Sequence, residues 1–328
     1  MNTRKIGQAT VSALGLGCMN LSHAYGTPPD AATAEALLLR ALDLGVTHFD
    51  TAALYGFGAN ETLVGQVLSP HRDRFFLASK CGMTGVDGKR VIDGRPETLI
   101  RTCDEALKRL RTDRIDLYYL HRWDRQVPIE ESVGGLSRLV EAGKILAIGL
   151  SEVSADTLRR AHAEHPVSAL QSEYSLWTRN PEIATLEACR ELDVAFVAFS
   201  PLGRGFLGGA LSDVSRLEEK DIRRQMPRFT ADNFTRNLPL LEALQSLAEQ
   251  ADATPAQLAL AWLLARDDSI LPIPGTTALA HLEENMAAGT VRIDDSLMAA
   301  LDRLLERHAV SGARYNAATQ SEIDTEEF

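Results

Sequence analysis

One stretch of the chain, residues 47–56, combines residue types that suit proton transfer. It begins as a short predicted strand with His48 and Phe49, reaches a carboxylate at Asp50 and continues into a loop that carries Tyr55. In an α/β barrel, the active site lies at the C-terminal ends of the strands. If residues 47–52 form a barrel strand, Asp50 and Tyr55 lie on that face. Alone, an aspartate at a strand end is more often capped or solvated than catalytic.

Two further predicted strands end in residues that suit the same chemistry, namely Lys80 and His121. A tyrosine with an ordinary pKa of about 10 is a weak proton donor at neutral pH. A neighbouring ammonium group stabilises the phenolate and lowers that pKa, and a buried ammonium needs a counter-charge such as Asp50. A histidine can donate a hydrogen bond to an oxygen that is becoming an alkoxide. Together with Tyr55, these residues suit the reversible reduction of a carbonyl group.

Strand and helix patterns alternate eight times along the chain. The helical segments carry apolar residues at a 3.6-residue period, for example at positions 34, 37, 38, 41 and 44. The strands are predicted at 14–18, 47–52, 75–80, 115–122, 145–151, 169–174, 194–200 and 270–274. This alternation predicts an α/β fold, a (β/α)8 TIM barrel with an N-terminal β-hairpin over residues 4–12 and extra helices towards the C-terminus. Residues 1–310 are predicted to form a single barrel domain, followed by a polar, acidic tail over 311–328 whose order the sequence does not indicate.

Composition and charge limit the function classes. The chain has 328 residues, of which 45% are hydrophobic, and a net charge of −11, so an average attraction to nucleic acid or to an anionic membrane is not expected. The start of the chain lacks the apolar core of a signal peptide, and no apolar run is long enough to span a bilayer. The four widely spaced cysteines suggest neither a zinc site nor a disulfide framework. We therefore expect a cytoplasmic protein without a metal site; its oligomeric state is not determined.

Many short segments resemble the aldo-keto reductases, and they do so in the same order along the chain. These segments are residues 15–19, 49–52, 55–56, 79–80, 115–122, 149–152, 171–175, 199–203, 272–276 and 282–285. The resemblance extends from residue 1 to about residue 310. It implies an enzyme that reduces an aldehyde or ketone to an alcohol with NADPH. In that enzyme Tyr55 is the general acid, Lys80 and Asp50 tune it, and His121 orients the substrate carbonyl.

The cofactor site is predicted in two loops of the barrel. No G-x-G-x-x-G motif follows a strand, so a Rossmann dinucleotide site is not supported. Barrels bind phosphate through the loops after strands 7 and 8. The first of these, residues 200–209, contains four glycines, which allow close backbone approach, and Arg204, which adds charge. The second, residues 274–277, leads into a helix whose N-terminus favours an anion.

The resemblance assigns individual residues to a nicotinamide dinucleotide. It implies that Ser151 and Gln171 bond the carboxamide and that Phe199 stacks on the nicotinamide ring. The pyrophosphate loops contribute Ser200, Leu202, Gly203, Arg204, Gly205 and Gly275, and the adenosine end contributes Thr276, His281, Glu284 and Asn285. No lysine or arginine stands between Thr276 and Glu283, where many relatives carry one to bind the 2′-phosphate. We therefore expect the protein to use NADPH with only a weak preference over NADH, and to show measurable activity with NADH.

The substrate pocket and the activity itself leave alternatives open. Tyr25, Phe57, Trp123 and Trp177 are candidates for an apolar substrate pocket, but simple packing explains each of them equally well. Asn20 and Trp123 depart from the residues frequent in relatives and are expected near the pocket mouth. One alternative function is a regulatory subunit of the same fold that senses the nucleotide with little turnover. Another is a metal-dependent hydrolase using Asp50, His48 and His121, which would require three or more converging ligands.

Overall fold

The computed structural model describes residues 2–328, apart from the side chain of Arg307. Its centre is a sheet of eight parallel strands in the order β3-β4-β5-β8-β9-β10-β11-β12. The strands of the chain are β1 (Thr3–Ile6), β2 (Ala9–Ser12), β3 (Leu16–Gly17), β4 (His48–Asp50), β5 (Phe76–Cys81), β6 (Met83–Val86), β7 (Lys89–Ile92), β8 (Leu117–Leu120), β9 (Ile148–Ser151), β10 (Val167–Glu173), β11 (Ala195–Phe199) and β12 (Ile270–Pro272).

Helices follow the strands of this sheet. They are α1 (Ala31–Asp43), α2 (Ala59–Leu68), α3 (Pro96–Leu110), α4 (Ile129–Glu141), α5 (Ala155–Glu164), α6 (Thr185–Glu191), α7 (Ala231–Gln250), α8 (Pro255–Arg266), α9 (Leu279–Ala287), α10 (Asp295–Asp302), α11 (Leu304–Arg307) and α12 (Ala317–Gln320). The extra helices α7 and α8 lie between β11 and β12, and α10 and α11 follow α9. This is the architecture that the alternating pattern predicted.

The first and last strands meet and close the sheet into a barrel. The backbone N–H of Gly15 donates to the carbonyl of Pro272 at 3.0 Å, and that of Gly17 donates to the carbonyl of Pro274 at 3.2 Å. A Cβ atom at Gly17 would lie 2.9 Å from the backbone oxygen of Ile273. Glycine is therefore required where the two strands approach most closely. The prediction of a (β/α)8 barrel is confirmed.

The N-terminal hairpin of β1 and β2 closes the bottom of the barrel. The two strands pair antiparallel, with Arg4 opposite Val11. Ile6 and Val11 are fully buried and pack against Leu117 and Val197 in the barrel interior. The buried side chains of the hairpin therefore close the end of the barrel opposite the C-terminal strand ends.

A second hairpin, β6 and β7, follows β5 and was not predicted from the sequence. Its turn is Asp87-Gly88, and both residues have positive φ, at 50° and 73°. An Asp-Gly pair between two strands is the usual signature of a two-residue hairpin turn. The sequence therefore carried a signal that would have identified this element.

The C-terminal tail folds back onto the barrel. The carboxylate of Asp324 accepts hydrogen bonds from the hydroxyls of Ser154, at 2.9 Å, and Thr157, at 2.6 Å, at the start of α5. The carboxylate of Glu326 accepts from the backbone N–H of Ala155 at 2.7 Å. Carboxylates at a helix N-terminus interact favourably with the unpaired N–H groups there. The acidic character of the tail thus matches its position next to α5.

Candidate active site

A buried chain of polar groups connects the ends of β4 and β5. Lys80, at the end of β5, has no exposed side-chain surface, and its ammonium pairs with the carboxylate of Asp50, at the end of β4. The same nitrogen donates to the backbone oxygen of Thr51 at 2.9 Å and lies 3.3 Å from the hydroxyl of Tyr55. Lys80 therefore links the carboxylate to the phenol.

Burial and Lys80 act in opposite directions on the pKa of Tyr55. Burial raises it and is the larger effect; the Lys80 ammonium lowers it, and the net shift is upward. The expectation of a lowered pKa is thus correct only for the contribution of Lys80. Burial lowers the pKa of Lys80, but Asp50 and Tyr55 outweigh burial, so this pKa is raised. At neutral pH the phenol is protonated and the ammonium is charged, as a proton donor and its stabilising cation must be.

Gln171, on β10, holds the second oxygen of Asp50. Its side-chain nitrogen donates to Oδ2 of Asp50 at 2.8 Å, while Oδ1 faces Lys80. An amide carries an acceptor oxygen as well as its donor nitrogen. Gln171 can therefore hold Asp50 and still offer its oxygen to a second group in the cavity.

His121 lies directly after β8 and faces Tyr55. Its ring is perpendicular to the Tyr55 ring, with the centroids 5.8 Å apart. Burial lowers the pKa of His121 well below its usual range, and the cations Arg122 and Lys80 lower it further. A neutral imidazole keeps one N–H donor. His121 is therefore neutral at physiological pH and suited to donate a hydrogen bond rather than a proton.

Three of these four residues face a cavity of about 570 Å³ at the C-terminal end of the barrel. Asp50, Tyr55 and His121 line it, with Lys80 buried behind them. Ten residues predicted to bind the cofactor also line it: Ser151, Gln171, Phe199, Ser200, Leu202, Arg204, Gly205, Gly275, Thr276 and His281. Among the described residues, Gly203, Glu284 and Asn285 are not part of the cavity wall. Most of the residues predicted to bind the cofactor therefore lie on one surface.

The loop after β11 has a backbone suited to an anion. Ser200, Gly203, Arg204 and Gly205 have φ values of 47°, 57°, 58° and 90°. These left-handed residues bend the loop into tight turns, and successive backbone N–H groups in a turn can form a concave surface that attracts phosphate groups.

The side chain of Arg204 does not supply the free charge that the sequence suggested. It is buried, and its guanidinium donates to the carboxylate of Glu173 at 2.8 Å and to the hydroxyl of Tyr315 at 3.0 Å. Its positive charge is therefore already paired, and the loop backbone remains the main feature that could hold a pyrophosphate.

Of the four aromatic residues proposed for the substrate pocket, only Tyr25 lines the cavity. Phe57 is 54% exposed and packs over the backbone of Gly85 in the β6–β7 hairpin. The indole nitrogen of Trp123 donates to the carbonyl of Val127 at 2.9 Å, and Trp123 is not part of the cavity wall. Trp177 is buried and stacks on Phe206, with the ring centroids 4.4 Å apart. Packing explains these three residues.

Other residues of the cavity wall were not predicted. They come from the β3–α1 loop, the β6–β7 hairpin, the segment after β8, the loop before α7 and the tail, and include Met19, His23, Met83, Arg90, Arg122, Arg223, Met226, Tyr315, Asn316 and Thr319. Asn20, expected near the pocket mouth, also lines the cavity. Tyr315, Asn316 and Thr319 reach it because the tail folds over the barrel, and no local sequence pattern indicates that contact.

The comparison with protein families identifies the chain. Residues 13–306 match the model of the Aldo/keto reductase family. The chain belongs to this family. It is 44% identical over 98% of its length to a Schizosaccharomyces pombe aldo-keto reductase named yakc, whose name includes NADP(+), and covers 96% of that protein. It is also 44% identical over 93% of its length to probable aldo-keto reductase 1 of Glycine max, of which it covers 88%.

Solved structures show the same barrel as this aldo/keto reductase. A glycerol dehydrogenase from Gluconobacter oxydans superimposes with a TM-score of 0.86 at 27% identity, covering 95% of this chain and 97% of the other. An aldo-keto reductase from Bacillus halodurans, in its holo form, gives 0.77 at 25% identity, with 97% and 99% covered. The family assignment makes the protein an oxidoreductase that acts on small carbonyl compounds.

Two further observations concern a membrane and a metal. In residues 2–328, no helix combines the length and the apolar character needed to cross a membrane. Within the same part of the chain, no group of three or more His, Cys, Asp or Glu residues is placed to hold a metal ion. His48, one of the three ligands of the hydrolase alternative, is fully buried and packs edge-on against Phe76. That alternative therefore has no ligand set in the described residues.

Proposed function

We propose that this aldo/keto reductase reduces an aldehyde or ketone to the corresponding alcohol with NADPH, and that Tyr55 is the general acid. The observation that supports this most directly is the position of the Lys80 ammonium, which is paired with Asp50 and lies 3.3 Å from the Tyr55 hydroxyl. No simple structural need explains a buried phenol, ammonium, carboxylate and imidazole around one cavity, since each costs free energy to bury.

The cavity fits a nicotinamide dinucleotide. The Ser151 hydroxyl and the Gln171 amide offer hydrogen bonds to a carboxamide, and the half-buried ring of Phe199 offers a stacking face. The loop backbone at 200–205 suits a pyrophosphate. When bound, the cofactor supplies the hydride.

The residues of the chain supply the proton and hold the substrate. His121 donates a hydrogen bond to the carbonyl oxygen and so fixes its position. The Tyr55 hydroxyl transfers its proton to the same oxygen as negative charge develops there. Lys80 stabilises the phenolate that remains, Asp50 neutralises Lys80, and burial of the group excludes water.

Consumption of NADPH in the presence of a panel of aldehydes, ketones and sugars tests this proposal. Turnover of one or more of these compounds that depends on Tyr55 would support it. Tight binding of NADPH with no turnover of any carbonyl compound would instead favour the regulatory-subunit alternative, which no finding supports at present.

Gln171→Leu is expected to change both cofactor binding and catalysis. The variant removes the hydrogen bond to the charged Asp50 carboxylate, which contributes about 1.5–3 kcal/mol, and the amide proposed to bind the carboxamide, where a neutral hydrogen bond contributes about 0.5–1.5 kcal/mol. We expect the KM for NADPH to rise about 2- to 10-fold and kcat to fall about 10-fold or more. A variant that raises KM alone would show that the contact with Asp50 does not support catalysis. Gln126→Leu, at an exposed residue outside the cavity, is the control.

The preference for NADPH over NADH is expected to be weak. His281 is the one basic residue in the segment 276–282, and it is exposed and lines the cavity. His281→Arg should raise the NADPH:NADH ratio of kcat/KM several-fold, since arginine binds phosphate with a fixed charge and a bidentate geometry.

The measurement is that ratio for the wild type and the variant. His165→Arg, which adds the same charge outside the cavity, serves as control. A wild-type ratio above about 1,000, corresponding to about 4 kcal/mol, would contradict the expectation. It would mean that another basic residue, such as one in segment 216–236, reaches the phosphate.

A further inference from the structure

Arg122 is a buried cation in the wall of the active-site cavity. It follows His121 directly, is 9% exposed and lines the cavity beside Ser151. One guanidinium nitrogen donates to the backbone oxygen of His121 at 2.7 Å and lies 3.2 Å from the Ser151 hydroxyl. The Nε atom is buried and has no hydrogen-bond partner among the described residues. Both contacts are to neutral oxygen atoms, so neither compensates the positive charge.

The other arginines of the cavity wall differ from Arg122 in this respect. Arg204 pairs with Glu173 at 2.8 Å, Arg223 pairs with Asp221 at 2.6 Å, and Arg90 pairs with Glu322. Within residues 2–328, no carboxylate lies within ion-pair distance of the Arg122 guanidinium.

The acidic residues near Arg122 already have partners. Asp50 is held by Lys80 and Gln171. Asp124 accepts from the backbone of Gly94 at 3.2 Å and of Gln126 at 3.0 Å. Local rearrangement of these side chains would therefore break existing hydrogen bonds in order to form new ones.

Glu152, the third nearby acid, is likewise occupied. Its carboxylate pairs with Arg314 of the tail and accepts from the backbone N–H of Glu173 at 2.9 Å. A buried charge without a partner is unfavourable, and an arginine cannot relieve it by losing its proton. An anionic group placed in the cavity would remove this cost.

The position of Arg122 indicates which ligand carries that anion. Arg122 and Ser151 lie at the ends of β8 and β9, whereas the loops suited to the cofactor phosphates follow β11 and β12. In an eight-stranded barrel these strand ends lie on different sides of the opening. His121, the neighbour of Arg122, faces Tyr55, where the carbonyl would bind. The anion is therefore on the substrate side.

We propose that Arg122 forms a carboxylate subsite, and that the substrates of this protein are aldehydes or ketones that carry a carboxylate. A guanidinium binds two carboxylate oxygens side by side through a fork of neighbouring N–H groups, and Arg122 lines the cavity where such a group would bind. This inference rests on the proposed carbonyl reduction, of which it names the substrate class.

The test compares pairs of substrates that differ only in charge. The pairs are 4-carboxybenzaldehyde with 4-carbamoylbenzaldehyde, and 4-oxobutanoate with 4-oxobutanamide, which span two lengths between the carbonyl and the carboxylate. The measured quantity is the ratio of kcat/KM for the acid over the amide, because a general effect of a variant on catalysis cancels in this ratio. We expect a ratio of at least about 10 in the wild type for one pair, and a fall of about 10-fold or more in Arg122→Gln.

Arg90→Gln is the matched variant, since it removes the same charge from a cavity arginine that already has an acidic partner. Its ratio is expected to stay within about twofold of the wild type. An equal loss in both variants would show that the ratio depends on the overall positive charge of the cavity and not on a subsite at Arg122. This result would overturn the proposal. A wild-type ratio near 1 for both pairs would also overturn it while leaving carbonyl reduction intact.

Binding measured by calorimetry in the presence of NADP+ separates the subsite from the proposed reaction. Benzoate should bind the wild type more tightly than benzamide, and Arg122→Gln should lose that difference even if no aldehyde is reduced. The binding of sulfate, an inorganic anion, is measured in the same way. If sulfate binds as tightly as benzoate and also depends on Arg122, the site takes free anions and the substrate class is wrong.

Discussion

Tyr55→Phe is expected to lower kcat for carbonyl reduction at least about 100-fold, the lower end of the contribution of general acid catalysis. The change removes the hydroxyl that lies 3.3 Å from the Lys80 ammonium and keeps the volume of the ring. The buried ring packs with Ala52, Leu54 and Met83, and these contacts are preserved. The fold and the affinity for NADPH should therefore change little, and the loss should be confined to the chemical step.

Tyr118→Phe is the matched control for this substitution. Tyr118 is a fully buried tyrosine of β8 whose hydroxyl has no hydrogen-bond partner among the described residues and which is not part of the cavity wall. Its kcat should equal that of the wild type. If Tyr55→Phe retains more than about a tenth of the wild-type kcat, Tyr55 is not the proton donor. Cofactor binding by both variants, followed by fluorescence titration, distinguishes a catalytic defect from a folding defect.

Lys80→Met is expected to lower kcat about 100-fold, which is the lower end of the contribution of general acid catalysis. The ammonium lowers the pKa of Tyr55 against the larger effect of burial, so its removal raises that pKa further. A weaker acid donates its proton more slowly. The decline of the reduction rate at alkaline pH should move to higher pH, and the reverse oxidation, which needs the phenolate, should also require higher pH. The pH profiles of kcat in both directions measure this shift.

Lys144→Met and Asp50→Asn complete this set of variants. Lys144 pairs with Asp104 at the surface at 2.5 Å, so its substitution removes the same charge away from the site and should leave the profile unchanged. Asp50→Asn leaves the Lys80 ammonium buried without a counter-charge and should lower the free energy of unfolding by about 3–5 kcal/mol. The double variant should recover part of this loss. Unchanged rate and profile in Lys80→Met would contradict the proposed role of Lys80.

Local patterns in the sequence were sufficient for the barrel. Strands and helices differ in the period of their apolar residues, and eight alternations of the two have few stable arrangements. The same reasoning predicted that Asp50, Lys80 and His121 lie close together, because the C-terminal ends of parallel strands meet at one face. Tyr55 followed since it lies five residues beyond Asp50.

Residues whose role depends on distant partners were not predictable in this way. Phe57, Trp123 and Trp177 have the composition of a pocket wall, but an aromatic side chain packs equally well in a core, and only the tertiary structure shows that these three lie outside the cavity. Conversely, Tyr315 lies in a polar tail with no apolar period, and it reaches the cavity because the tail is fixed to α5 by Asp324.

The sequence by itself determined the fold, the family resemblance and the four polar residues at the strand ends, because these depend on local period and on order along the chain. The tertiary structure decided the state of the charges. Arg204 and Arg122 both lie in loops that follow barrel strands, yet one pairs with Glu173 and the other has no acidic partner among the described residues. The physical reason is that a charge in a buried site is governed by the partners within a few ångströms, and those partners come from parts of the chain far apart in sequence.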